Sequence, residues 1–413
     1  MDYIINGGMR LRGEIADYGA KNCALALLGA TVLTDEQIVL RNCPSIVDVE
    51  NMLLLLSAMG KRINRRGNTV SVSGGLNTTS APRSLANLLR GSALILGSTV
   101  ARYHNICLPL PGGCAIGARP MDIHLKGLEA LGIAVDDNTD ELVCQGKPIG
   151  ARYNLRFASV GATENLLCAC ALAKGESVLT NCATEPEVTA LEELLVKMGA
   201  KLYGVGTSTV RLVGVDKLHG AEFDVIPDRI VAATYIAATV ATLGDVTVTN
   251  CNPLHMQAFL DVLSPHVYIK QYSDAIHVVA EKSPNGYGKI VTAPYPLFPT
   301  DMQSLVLTLA ACSSGDTEIR EKLFENRLLH NAEQLNKMGA HIAVNDDVAT
   351  VEGSKLHGES VASNDLRGGA GLVIAALNAE GVSTVSGIEH INRGYVRLAQ
   401  NLCSLGADIT VSP

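Results

Sequence analysis

Residues 111–124 read Pro-Gly-Gly-Cys-Ala-Ile-Gly-Ala-Arg-Pro-Met-Asp-Ile-His and hold the densest set of chemically useful groups in the chain. Gly112, Gly113 and Gly117 let the main chain take shapes closed to other residues and approach a ligand closely. The stretch therefore predicts a shaped loop with the Cys114 thiol at its tip. Arg119, five residues on, offers a planar fork for phosphate or carboxylate. Pro120 stiffens the backbone beside it, and a helix is predicted from Met121 to Leu131. A thiol near fixed cations is a reactive one, because positive charge favours thiolate.

Further groups of this kind recur at predicted helix starts. Lys21-Asn22 follows Tyr18-Gly19-Ala20, and Ser159-Val160-Gly161-Ala162-Thr163 opens a second helix. Helix N-termini attract anions, and a lysine placed there suits a phosphate. Pro227-Asp228-Arg229 and Pro299-Thr300-Asp301-Met302 present carboxylates, although most aspartates at such turns cap the helix that follows. Arg327, Arg367 and Arg393 are each predicted to open a helix in the last third of the chain. Cations at several helix starts point to a small polyanionic ligand, while a thiol and a carboxylate supply an acid and a base.

These groups must be positioned by a repeated scaffold. A helix ending followed by a strand occurs at Leu-Ser-Ala-Met-Gly-Lys-Arg-Ile (56–63), Leu-Glu-Ala-Leu-Gly-Ile-Ala-Val (128–135) and Leu-Val-Lys-Met-Gly-Ala-Lys-Leu (195–202). It returns at Leu-Asn-Lys-Met-Gly-Ala-His-Ile (335–342) and Leu-Cys-Ser-Leu-Gly-Ala-Asp-Ile (402–409), with a degraded copy at 260–267. The closing glycines fall at 60, 132, 199, 339 and 406, with Ser264 in the fourth place. Glycine just past a helix is the usual left-handed terminator. Short alternating strands are predicted at 35–44, 175–182, 244–253, 315–320 and 381–387. Apolar helices are predicted at Ala24–Leu33, Leu166–Ala173, Ala232–Leu243, Ser304–Cys312 and Ala370–Ala379. Helices apolar nearly all round belong in a core. Six mixed α/β repeats with buried helices predict sheets on the outside and helices inside, three repeats to a domain. Joints rich in Gly and Pro, notably 223–229, predict a boundary near the middle, with residues 1–20 assigned to the C-terminal half.

Composition narrows the function. A chain of 413 residues exceeds one ordinary core, and 47% hydrophobic content suffices for two. A net charge of −8 argues against a nucleic-acid binder while permitting a local cationic pocket. Met1 to Leu11 lacks a basic region followed by an apolar core, so no leader is expected, and no apolar run is long enough to span a membrane. Eleven scattered cysteines without zinc spacing read as free thiols of a reducing cytoplasm.

Taken together, the Cys114 loop, Tyr18-Gly-Ala-Lys-Asn22, Ser159-Val-Gly-Ala-Thr163, Pro227-Asp-Arg-Ile230, Phe298-Pro-Thr-Asp-Met-Gln303, Phe324-Glu-Asn-Arg327, Asp365-Leu-Arg367 and Arg393-Gly-Tyr395 resemble the UDP-N-acetylglucosamine 1-carboxyvinyltransferase family of enolpyruvyl transferases. The match runs in order along essentially the whole chain. The resemblance implies an inside-out α/β barrel of two domains, 21–226 and 1–20 plus 227–413, with the active site in the cleft between them. It implies transfer of the enolpyruvyl group of phosphoenolpyruvate to the 3-hydroxyl of UDP-N-acetylglucosamine, the committed step of peptidoglycan synthesis. No cofactor and no metal are implied, and the partners are these small molecules, with the oligomeric state left open.

Residue by residue, the resemblance makes Cys114 the acid that protonates the methylene carbon and Asp301 the base near the sugar hydroxyl. Lys21 is catalytic and, with Arg119 and Arg393, binds phosphate. Arg327 and Arg367 bind carboxylate, and Asn22 holds the sugar. Arg119, Pro120, Asp122, Ile123, Ser159, Val160 and Gly161 line the nucleotide site, Arg90 is a supporting cation, and Leu323 is a further substrate contact. An epoxide phosphonate such as fosfomycin is expected to alkylate Cys114. Four positions depart from the family pattern: Phe157 replaces a common Lys, Asn392 an Asp, Val231 a Glu and Tyr18 a Ser. Phe157 leaves open an acceptor that is another uridine nucleotide. The related shikimate-pathway enzyme lacks the Pro-Gly-Gly-Cys loop, and a catalytically silent UDP-sugar sensor would be expected to lose Cys114, Asp301 or the carboxylate-binding arginines.

Overall fold

The computed structural model describes residues 1–109, 121–138, 140–324 and 326–412, and only the backbone of Arg90. Contacts gather these residues into two domains: a flanking domain of Met1–Tyr18 with residues 227–412, and an inserted domain of residues 19–109 and 121–226. The chain passes from one to the other at Tyr18–Gly19 and again at Ile226–Pro227.

Each domain is three copies of one sheet-and-helix repeat. In the inserted domain, the strand Ile38–Arg41 pairs antiparallel with Thr69–Ser73, which pairs antiparallel with Arg62–Arg66. The last strand of the domain, Ala221–Asp224, returns to lie parallel to Ile38–Arg41, closing the domain on itself. Arg152–Asn154, Glu176–Thr180, Thr209–Val213 and Lys201–Tyr203 repeat the arrangement. Asn105–Pro109, Glu141–Gln145 and Ala134–Asp136 form a three-stranded version. In the flanking domain, Arg12–Ala16 lies parallel to Asp245–Thr249 and closes the first sheet in the same way. The sixth sheet lacks a hairpin partner of its own. The N-terminal strand Asp2–Asn6 fills the gap, antiparallel to both Val382–Ser386 and Asp408–Ser412. The first residues of the chain therefore complete its last repeat.

The inner helices explain the inside-out arrangement. All thirteen residues of Arg229–Ala241 are buried, as are all nine of Gln303–Ala311, and these two helices and Leu366–Asn378 pack pairwise on one another. A helix with no polar face must be enclosed, and each Leu, Ile or Val taken out of water contributes about 1.5–3 kcal/mol. The strands alternate instead: Asp245–Thr249 and Val382–Ser386 bury every second residue, so each sheet offers one face to the helices and one to solvent. The inside-out α/β fold expected from the repeats is the fold observed.

The glycines that close the repeats at 60, 132, 199, 339 and 406 all have positive φ, from 81° to 121°. Ser264 does not: its φ of −57° leaves the helix Gln257–Leu263 to end in a right-handed turn. The second repeat's inner helix, Leu96–Tyr103, and its strand Asn105–Pro109 were not among the predicted elements. The helix is held close to Val160–Ala171. A side chain at Gly97 would come within 1.9 Å of the Asn165 carbonyl, and the Gly97 N–H donates to Asn165 Oδ1 at 2.7 Å.

Candidate functional site

Asp228, Asp301 and Asp365 all stand at helix starts, and the structure separates them. Asp228 caps Arg229–Ala241, its Oδ1 accepting from the Ile230 and Val231 N–H groups at 2.9 and 3.2 Å. Asp365 caps Leu366–Asn378 in the same way through Arg367 and Gly368, both at 2.9 Å. Asp301 does neither. It lies in the single turn Thr300–Met302 ahead of Gln303–Ala311, and its Oδ1 accepts from Arg327 Nη2 at 3.0 Å.

The electrostatics of the flanking-domain cluster follow from that geometry. Burial would raise the Asp301 carboxyl, but the charges of Arg327, Arg367 and Arg229, with the hydrogen bond from Arg327, hold it well below the usual carboxylate range. Arg327 is the first residue of Arg327–Lys337 and only 3% exposed, whereas 31% of the Asp301 side chain is accessible. Its Nη1 donates to Thr300 Oγ1 at 2.7 Å. Burial disfavours the Arg367 cation, yet Tyr395, Asp301 and Asp228 outweigh it and the guanidinium stays charged. Arg367 lies 5.7 Å from the Tyr395 ring, and the Tyr395 hydroxyl is 2.8 Å from that of Thr234. Arg393 does not open a helix as expected; it follows the five-residue helix Ile388–Asn392, whose short length leaves it in the succeeding turn. Tyr18 anchors that turn, its hydroxyl accepting from the Val396 N–H at 2.8 Å. Leu323 donates its N–H to Glu321 Oε1 at 2.8 Å.

In the inserted domain, Lys21 opens Lys21–Ala30, whose first turn has no side-chain cap and no acidic residue. Lys21 Nζ reaches the buried Asp48 carboxylate at 3.2 Å. Asn22 stands next to it, half-buried. Asp122 opens Asp122–Ala130 and pairs with Arg156, and Ile123 is buried behind it. Ser159 caps Val160–Ala171, its Oγ accepting from Ala162 N at 3.4 Å. Gly161 brings this start against Asp122–Ala130, because its α-carbon faces the His124 ring where a side chain would approach within 3.1 Å. The structure thus gathers Asp122, Ile123, Ser159, Val160 and Gly161 into one corner. Phe157 is 39% exposed beside it.

His124 joins that corner together through Asn165, whose Nδ2 lies 3.0 Å from its Nδ1. Burial pushes the ring down to about 4, opposed only in part by Asp122. The unfolded chain, with an ordinary value near 6.5, binds more protons than the folded protein between these two values. The stability tied to the neutral ring is therefore complete above about pH 6.5 and is lost as pH falls toward 4. Thermal unfolding should show the wild type losing more stability than His124→Gln between pH 7 and pH 4.5. Equal losses would contradict a neutral, buried His124.

Cys114, Arg119 and Pro120 lie outside the described residues, as does the Arg90 side chain. Sequence reasoning passed over three buried acids, Glu164, Glu185 and Glu187. Burial first, then Glu187 and Glu185, push the Glu164 carboxyl well above its ordinary value. The Glu-Pro-Glu run at 185–187 is the signal that could have marked them. Glu321 stands in no motif singled out in the sequence, and Thr300 enters only as part of the Asp301 motif. The ten cysteines among the described residues are free thiols. Among the described residues no group of His, Cys, Asp and Glu could hold a metal ion, and no helix is long and apolar enough to cross a membrane.

The profile of the family described as EPSP synthase (3-phosphoshikimate 1-carboxyvinyltransferase) matches residues 5–402. The chain is 42% identical to the UDP-N-acetylglucosamine 1-carboxyvinyltransferase of Finegoldia magna, over 98% of its length and 97% of the relative's. It is 40% identical to UDP-N-acetylglucosamine 1-carboxyvinyltransferase 2 of Caldanaerobacter subterraneus, over 98% of each. Among solved structures, the enolpyruvyl transferase NikO of Streptomyces tendae superposes with a TM-score of 0.89 at 24% identity, covering 99% of this chain and 98% of that one. An EPSP synthase of Acinetobacter baumannii superposes at 0.76 with 20% identity, covering all of both chains. At those identities the two structures speak to the fold alone.

Proposed function

Because the chain belongs to the EPSP synthase (3-phosphoshikimate 1-carboxyvinyltransferase) family, we infer that it transfers the enolpyruvyl group of phosphoenolpyruvate to the 3-hydroxyl of UDP-N-acetylglucosamine and releases phosphate. This is the first committed step of peptidoglycan synthesis. The observation that carries the acceptor is the 40–42% identity, over nearly the whole length, to relatives named for that reaction.

Addition followed by elimination asks for an acid and a base. Asp301 takes the proton of the sugar hydroxyl as its oxygen attacks the central carbon of phosphoenolpyruvate. Cys114 gives a proton to the methylene carbon. In the second half the proton leaves that carbon and the phosphate departs, restoring the double bond. Lys21, Arg119 and Arg393 offset the phosphate charge and Arg367 and Arg327 the carboxylate; charge stabilisation of this kind is commonly the largest catalytic contribution. Arg90 adds a supporting cation. Asn22 holds the sugar and Leu323 is a further substrate contact, while Arg119, Pro120, Asp122, Ile123, Ser159, Val160 and Gly161 hold the uridine diphosphate. The reaction uses no cofactor. The free thiols support a reducing, cytoplasmic setting.

Mass spectrometry of the product tests the reading. The acceptor should gain one enolpyruvyl ether, and one phosphate should be released for each. Phosphate release without an altered acceptor would mean hydrolysis and would overturn it.

A further inference from the structure

Glu321 lies just past the strand Asp316–Arg320 and is 3% exposed. Four donors converge on its carboxylate. Oε1 accepts from Thr292 Oγ1 at 3.0 Å, the Leu323 N–H at 2.8 Å and the Phe324 N–H at 3.3 Å. Oε2 accepts from Thr300 Oγ1 at 2.7 Å. An ionised carboxylate is an acceptor only, so it suits four donors and nothing else.

The consequence runs through Thr300. A hydroxyl has one hydrogen and two lone pairs. With the hydrogen directed at Glu321, the lone pairs are left to accept, and Arg327 Nη1 donates into one of them at 2.7 Å. The other arm of the same guanidinium then reaches Asp301 at 3.0 Å. Glu321, Thr300, Arg327 and Asp301 form a chain in which every donor direction is fixed by the link before it. Glu321 also ties down the 323–324 turn through its two N–H groups.

We propose that Glu321 is a positioning residue for this site: through Thr300 it sets the Arg327 fork that orients the Asp301 carboxylate. The proposal rests on the reading of Asp301 as the base of enolpyruvyl transfer. Glu321→Gln is the informative variant. Its amide oxygen can still take the Thr292, Leu323 and Phe324 donors, which turns its NH₂ toward Thr300. That NH₂ donates into the hydroxyl, whose hydrogen must swing to the position of the unused lone pair, so Thr300 keeps a neighbour but loses the charged acceptor that fixes how it receives Arg327. The relay loses its anchor while the 323–324 turn stays.

Steady-state kinetics with phosphoenolpyruvate and UDP-N-acetylglucosamine are expected to show kcat of Glu321→Gln lowered about 10²-fold, the size of loss that a small misplacement of a reacting group causes, with KM for the sugar nucleotide little changed. Thr300→Val should lose as much, Thr300→Ser should recover most of the activity, and the double variant Glu321→Gln/Thr300→Val should be no worse than either single one, since both cut one chain. A second readout needs no substrate: carbon NMR of the carboxyl groups in the free protein. Asp301 should titrate at higher pH in Glu321→Gln than in the wild type, because Arg327 no longer grips it. An inactive wild type would sink the functional reading and leave the relay to be judged by the titration. An active wild type with near-normal kcat in Glu321→Gln, or an unmoved Asp301 titration, would overturn the relay.

Discussion

Asp301→Asn is expected to lower kcat by about 10²–10⁴-fold, the usual worth of a general base, and to leave calorimetric binding of UDP-N-acetylglucosamine near that of the wild type. The amide keeps the shape of the carboxyl and can still accept from Arg327, so positioning survives while proton removal does not. The pH profile adds a sharper expectation. In the free protein Arg327, Arg367 and Arg229 hold Asp301 well below the usual carboxylate range against the opposing pull of burial. So strong a hold keeps the group ionised but makes it a feeble base. Phosphoenolpyruvate bound as proposed would bring anionic groups to the arginines, offset their charge and so raise the basicity of Asp301 only when there is a reaction to catalyse. The acid limb of kcat, which reports the complex, should therefore lie at higher pH than that of kcat/KM, which reports the free enzyme. Near-normal turnover by Asp301→Asn would remove this residue from the mechanism.

Incubation with an epoxide phosphonate such as fosfomycin should abolish activity and add one equivalent of reagent to Cys114. An unperturbed thiol has a pKa of about 8.5. Burial pushes Cys43, Cys144, Cys170, Cys182, Cys251 and Cys312 up to about 12, so they carry almost no thiolate at neutral pH. Cys403 is exposed and serves as the internal control for indiscriminate alkylation. The reagent is a small anion, suited to the cations assigned to phosphate, and it presents an electrophilic carbon to a nearby sulfur. Cys114→Asp can donate a proton but cannot form the thioether; it should keep some activity and resist the reagent. Peptide mapping after intact-mass measurement decides the matter. Label on Cys403, or none, would contradict the assignment of Cys114.

Much of this fold was legible because the repeat is punctuated by residues with narrow physical meaning. A glycine after Leu-x-x-Met or Leu-x-x-Leu announces a left-handed helix end, and five of six positions obey it. Helices apolar on every side announce an interior, as Arg229–Ala241 shows. The second repeat was harder to see. Its inner helix, Leu96–Tyr103, is short and carries Ser98, Thr99 and Arg102, so its composition does not mark it as a core element. The closure of the sixth sheet by Asp2–Asn6 depends on pairing across almost the entire chain, which no local pattern encodes. Within the site, Asp301, Arg327 and Arg367 could be named from their motifs, but their mutual charges could not. Glu321 stayed hidden because a glutamate after a strand looks like any surface acid until the two threonines and two backbone N–H groups around it are seen.

One assay decides the acceptor. Phosphate release from phosphoenolpyruvate would be followed with UDP-N-acetylglucosamine, shikimate 3-phosphate and free UMP supplied separately under the same conditions. The expected result is sustained turnover with UDP-N-acetylglucosamine and background release with the other two. Turnover with shikimate 3-phosphate or UMP at equal or higher kcat/KM, or none with UDP-N-acetylglucosamine, would contradict the account.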